Sequence, residues 1–168
     1  MTKMDLTLPE PDGFIEVYMD YAGELSEAPD IFNQFMALAL LSSVAGNKIY
    51  MPWGGAKLFP NVWFILVAAS SSFKKSQSFV PTMKLLHRTA PERILPNAFS
   101  MEKLLTTLSK NPAGSFFFGE FKSLMEAMQR SYADCIGLVT ELFDPRVIPF
   151  RRELNNTSFT IEDQAINI

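Results

Sequence analysis

Residues 68–76 read Ala68-Ala69-Ser70-Ser71-Ser72-Phe73-Lys74-Lys75-Ser76, and they follow the apolar run Val62-Trp63-Phe64-Ile65-Leu66-Val67. A buried strand, a loop of small residues and a Lys-Ser pair opening a helix form the layout of a phosphate-binding loop, G-x-x-x-x-G-K-[ST]. Lys75 and Ser76 match that pattern, whereas Ala69 and Lys74 stand where its two glycines belong. The stretch decides the fold, because strand, loop and helix in succession are the unit from which a parallel α/β sheet is built.

In such a P-loop, successive backbone N–H groups point into a concavity that holds phosphate, aided by the helix N-terminus. The lysine neutralises the β and γ phosphates and the hydroxyl ligates Mg²⁺. Ala69, Ser70, Ser71, Ser72 and Lys74 are therefore candidates for the cradle, Lys75 for phosphate and Ser76 for both phosphate and metal. A positive φ at Lys74 would cost on the order of 1–3 kcal/mol. Two lysines at the positive end of a helix also oppose its macrodipole until an anion arrives. The plain alternative is a serine-rich loop before a helix that begins Lys-Lys-Ser.

Some forty residues on, Phe116-Phe117-Phe118-Gly119-Glu120 is an apolar run ending in a carboxylate. It is similar to a Walker B strand with its following glutamate, but Gly119 occupies the place of the metal-orienting aspartate. Glu120 is the candidate for activating water; as a first-turn helix residue it would also simply favour the dipole. Asn167 is a candidate sensor of the γ-phosphate, or an ordinary polar residue on an edge strand. Arg151 and Arg152 fit solvation of a strand end better than action in trans on phosphate. Glu141 and Asp144 fit surface carboxylates at a helix C-terminus.

Upstream, spacing places Phe14, Val17, Tyr18, Tyr21 and Leu25 on one face of a helix over 13–25. Residues 31–45 are apolar almost all round, as in a central helix, and Gly46-Asn47 caps it. Two short strands over 48–53 and 56–59 meet at Gly54-Gly55, a hairpin signal. Tyr50, Trp53 and Phe59 on that hairpin invite base stacking, but with only Lys48 and Lys57 beside them, packing onto the helical prefix explains them better. Downstream, the pattern predicts helices over 75–88, 100–110, 121–132 and 133–143. Strands are expected over 93–99, 115–118, 147–151, 158–161 and 165–168. The fold class is α/β with a mainly parallel sheet. A prefix of helices and hairpin (1–60) packs on a core (61–168) that looks incomplete at its C-terminus.

Composition bounds the function. The chain has 168 residues, 48% of them hydrophobic, with a formal net charge of −3. That balance argues against a stand-alone electrostatic nucleic-acid binder. A single cysteine, Cys135, and a single histidine, His87, exclude a disulfide framework and a zinc site built from these residue types. The uncharged stretch 31–47 is short for a membrane span and carries Asn33, Gln34, Ser42 and Ser43. With no signal-peptide core at the N-terminus, the expected location is the cytoplasm.

Taken in order, Glu27-Ala28-Pro29, the apolar helix, the hairpin, Pro60-Asn61, the Lys-Lys-Ser loop and Phe-Gly-Glu resemble a group of RecA-like bacterial and phage ATPases. These accompany primase or helicase domains on mobile elements. The resemblance covers residues 10–168, the N-terminal half of such a domain. It implies a RecA-like core, ATP with Mg²⁺ as cofactors, and DNA as partner through an oligomer or a further domain. Carried over by position, Lys75 would bind phosphate, Ser76 would hold Mg²⁺ and Glu120 would position water. Ala69, Lys74 and Gly119 depart from the ATPase pattern. Two functions stay open at this point: an ATPase, and a non-catalytic scaffold with a degenerate P-loop fold.

Overall fold

The computed structural model describes residues 13–68, 74–97, 99–120, 122, 135–154 and 157–168. Apart from Lys122, which is helical, the expected helix over 121–132 lies outside them, as do the loop residues Ala69, Ser70, Ser71 and Ser72. The chain opens with two helices, α1 (Phe14–Leu25) and α2 (Asp30–Ala45), the second ended by Gly46 at φ 50°. The hairpin strands β1 (Met51–Trp53) and β2 (Ala56–Leu58) turn through Gly54 and Gly55, both at positive φ. Helices α3 (Phe79–Thr89) and α4 (Met101–Lys110) follow, then β3 (Ala113–Ser115) and α5 (Cys135–Phe143). The remaining strands are β4 (Phe150–Leu154), β5 (Thr157–Ile161) and β6 (Ala165–Asn167).

The protein is mixed α/β. Its central pair, β3 and β6, is parallel, with Ser115 opposite Asn167. Backbone hydrogen bonds extend this pair on both sides. Leu95 donates to Ser115 (2.9 Å) next to a parallel bridge at Ile94. On the other side Phe64 donates to Ile168 (2.8 Å), and Ile168 donates to Val62 (3.1 Å). The lateral order is therefore 94–95, β3, β6, 62–64, all running the same way, with the latest segment lodged between two earlier ones. Not every expected strand joins this parallel sheet: β4 and β5 form a separate antiparallel hairpin with Phe150 opposite Ile161.

Alternation assigns each side chain to a face. Ile94, Phe117, Phe64 and Leu66 pack with Tyr18, Ala22, Met36, Ala37, Leu40 and Leu86, so the prefix helices and α3 cover one face. Leu95, Phe116, Phe118 and Ile166 turn to the other, against Leu104, Leu105 and Leu108 of α4, Leu138 and Leu142 of α5, and Phe150, Phe159 and Ile161. Gly114 makes this close approach possible, since a Cβ there would stand 2.6 Å from Leu95 Cγ.

Several expectations change. Residues 62–68 form no regular strand and are not a buried run: Ile65 is 68% and Val67 80% exposed, while Phe64 and Leu66 point inward. Alternate residues are exposed because the helical layer covers one face of this segment and no described element covers the other at Ile65 and Val67. The region 93–99 reduces to a 3₁₀ turn (Pro91–Arg93) and one bridge. Phe116–Phe118 extends beyond the regular strand, which ends at Ser115. The buried stripe of α1 is Tyr18 and Ala22, flanked by Ile15 and Met19, so Val17 and Phe14 face outward. Trp53 is 65% exposed, and the hairpin is tied through the Tyr50–Phe59 ring contact and a Lys57–Asp163 ion pair (2.5 Å).

Candidate functional site

Because the central segments run parallel, their carboxyl ends share one edge of the sheet, where open α/β sheets bind ligands. A cavity of about 500 Å³ lies there. Its walls are largely apolar, from Met36 and Ala39 of α2, Phe64 to Val67, Phe79 of α3 and Phe116 to Phe118. Its charged groups are Lys75 and Glu120, with Gly119 between Glu120 and the aromatic wall. Two sequence-separated candidates thus line one space.

The start of the helix that carries Lys75 is built tightly. Residues 75–78 form a 3₁₀ turn that continues into α3, with Gln77 N–H donating to the Lys74 carbonyl (2.8 Å) and the Ser78 hydroxyl to the Lys75 carbonyl (2.7 Å). Lys74 sits at φ 39°, ψ 39°, the left-handed region, where the motif has glycine. The backbone thus keeps the glycine geometry with a lysine side chain attached, at a cost on the order of 1–3 kcal/mol. Lys75 Nζ donates to the Ala68 carbonyl (3.1 Å). A phosphate entering the loop would compete with that carbonyl for the ammonium group.

Ser76 is exposed and does not line the cavity. Lys74 is turned away from it and pairs with Glu27. For a divalent metal the residues fit poorly: Gly119 supplies no ligand, and no group of three His, Cys, Asp or Glu side chains is gathered among the described residues.

Asn167 stands apart from this edge. It is 4% exposed and lies in the middle of the sheet, not on its edge. Its Oδ1 accepts from Val62 N–H (2.8 Å) and lies 2.5 Å from the Ser42 hydroxyl, and its Nδ2 donates to Ser115 Oγ (3.0 Å). Ser42 Oγ also touches the Pro60 carbonyl, so its single proton serves one acceptor at a time. Ser115 Oγ in turn meets Ser43 Oγ at 2.6 Å. Three of the four bonding positions on the Asn167 amide are filled by protein, which makes it a cross-link between α2, β3, β6 and the segment leading to the loop. Sequence reasoning passed over Ser42 and Ser43. Their signal was two adjacent hydroxyls in an uncharged helix, which must find partners if that helix is buried.

A second buried link joins the helical layer. The Thr82 hydroxyl donates to the Met36 carbonyl (3.1 Å), so Tyr18 OH donates to Thr82 Oγ1 (2.6 Å). Burial pushes the Tyr18 phenol up to about 12. Met36 and Phe79 of this layer reach the cavity wall, and Phe79 meets Phe117 edge-on at 6.3 Å.

Arg151 is exposed and Arg152 half-buried within β4, and Asp144 follows α5 at the surface, as expected. No helix among the described residues is long and apolar enough to cross a membrane. No protein-family model, no curated protein and no solved structure matches the chain.

Proposed function

We propose that the cavity edge binds a nucleoside triphosphate through the 68–76 loop, and that the protein is an ATPase of RecA-like type. The observation that carries this reading is the convergence of Lys75 and Glu120 on one cavity at the carboxyl ends of parallel-running segments. The left-handed Lys74 supports it, since that backbone geometry is what the glycine of a phosphate loop provides. Lys75 would leave the Ala68 carbonyl for the β and γ phosphates. Glu120 would orient water for in-line attack on the γ-phosphate. Mg²⁺ arriving with the nucleotide would supply charge neutralisation. DNA as the polymer acted on, an oligomeric ring and a helicase or primase setting rest on the family resemblance alone.

The test is binding of Mg·ATP to the purified chain, by calorimetry, against Lys75→Ala. Loss of a charge-assisted contact predicts weakening on the order of 10- to 100-fold. Equal affinity in both proteins, or none in the unmodified chain, removes the reading. The second function is a scaffold that keeps the loop without turnover, and the specific observation favouring it is Gly119 at the metal-orienting position. ATP affinity without hydrolysis, unchanged by Glu120→Gln, would select it.

A further inference from the structure

We propose that Glu27 is a positioning residue for the phosphate loop: its carboxylate holds Lys74 in the left-handed turn and leaves Lys75 as the cation that meets phosphate. The inference rests on the loop binding phosphate, and it assigns Lys74 a role opposite to that of a ligand.

Glu27 lies in the short connection between α1 and α2, and that connection is a fixed platform. Ser26 and Ala28, on either side of it, are 8% and 7% exposed. Ser26 N–H closes α1 on the Ala22 carbonyl (2.8 Å), and its hydroxyl accepts from Ala28 N–H (3.1 Å). From this platform Glu27 grips the start of the α3 segment twice. Its carboxylate pairs with Lys74 Nζ, and its backbone N–H donates to Gln77 Oε1 (3.2 Å). The two contacts fall three residues apart, spanning the turn that presents Lys75.

The charges divide accordingly. Two adjacent lysines at a helix start repel each other and the dipole. Glu27 neutralises Lys74, while Lys75 has a carbonyl and no carboxylate as partner among the described residues. A glycine before the P-loop lysine needs no such restraint, because it takes a positive φ freely. Lysine there does need it, and the carboxylate supplies it from outside the loop. This ties the departure from the motif at Lys74 to a compensating residue almost fifty positions earlier.

The experiment is a double-mutant cycle between Glu27 and Lys74 with two readouts: Mg·ATP affinity, and melting temperature without nucleotide. Glu27→Ala is expected to weaken Mg·ATP about fivefold and to lower the melting temperature by roughly 2–4 °C, the scale of one exposed ion pair. Glu27→Asp restores most of both. In a Lys74→Gly background, Glu27→Ala changes affinity less than about twofold and leaves the melting temperature in place. Equal effects of Glu27→Ala in both backgrounds overturn the proposal, as does the absence of any effect in the unmodified background. If the unmodified chain binds no ATP, the proposed function fails, and coupling in the melting temperatures alone then decides whether Glu27 restrains the turn.

Discussion

Replacing Asn167 by alanine separates a structural cross-link from a phosphate sensor. The substitution removes the acceptor of Val62 N–H and the donor to Ser115 Oγ, both inside the sheet. Ser42 keeps the Pro60 carbonyl and Ser115 keeps Ser43, so two of the three groups bonded to the amide retain a partner. The Val62 amide does not. Each neutral hydrogen bond lost costs about 1 kcal/mol, and a donor left buried without a partner costs about 1–3 kcal/mol. Allowing for the partners that remain, the expected loss is about 2–4 kcal/mol. For a chain of this length that is a fall of roughly 4–16 °C in melting temperature. Urea unfolding is the assay: the midpoint should drop with the slope unchanged, because the surface exposed on unfolding is the same. A loss below about 0.5 kcal/mol, together with impaired ATP turnover, would refute the cross-link and restore the sensor role.

Tyr18 makes stability depend on alkaline pH. Its phenol titrates near 10.0 when unfolded and about 12 when folded. The folded state therefore binds more protons between those values, and stability falls as pH rises from about 10 to 12, by roughly 3 kcal/mol in all. Unfolding curves of Tyr18→Phe should lack that part of the slope; an identical slope would contradict it. Gly46→Ala combines a left-handed φ of 50° with a Cβ placed 3.0 Å from the guanidinium of buried Arg93. It should cost about 2 kcal/mol in denaturant unfolding, and a neutral result would show that Arg93 moves freely. If the chain hydrolyses ATP, Glu120→Gln should lower kcat by about 100-fold or more with affinity kept, and steady-state assays alongside binding would expose a joint loss.

The two ends of the site differed in legibility. Lys75 and Glu120 could be paired from sequence because each follows an apolar run, and two parallel runs deliver their ends to one edge. The loop geometry was anticipated as a possible strain at Lys74, and it is realised there. Asn167 was legible only as a sensor candidate or a polar residue near the end of the last strand. Its partners Ser42 and Val62 are 125 and 105 residues away, and only the lateral order of the sheet brings them together. Sequence shows Glu27 only as part of Glu27-Ala28-Pro29, not as the partner of Lys74, because side-chain pairing across folded segments leaves no periodic trace. The exposure of Ile65 and Val67 was missed for a similar reason. An apolar run bounded by turns signals a strand, but its neighbours determine whether both faces are covered.

The placement of residues 165–168 between β3 and Val62–Phe64 also bears on when the site can exist. The backbone bonds that seat the loop-bearing segment are made to Ile168, and the side-chain bond to Val62 is made by Asn167. Closing these contacts joins parts of the chain about a hundred residues apart, which is slow in folding and exposed to misassembly. During synthesis the Lys75 loop emerges long before its seat does. The nascent chain would carry an unanchored loop and an unfilled slot in the sheet until residues 165–168 arrive. Assembly of the cavity edge then waits on residues 165–168, and refolding kinetics followed at the cavity should lag those followed in the helical layer of α1, α2 and α3.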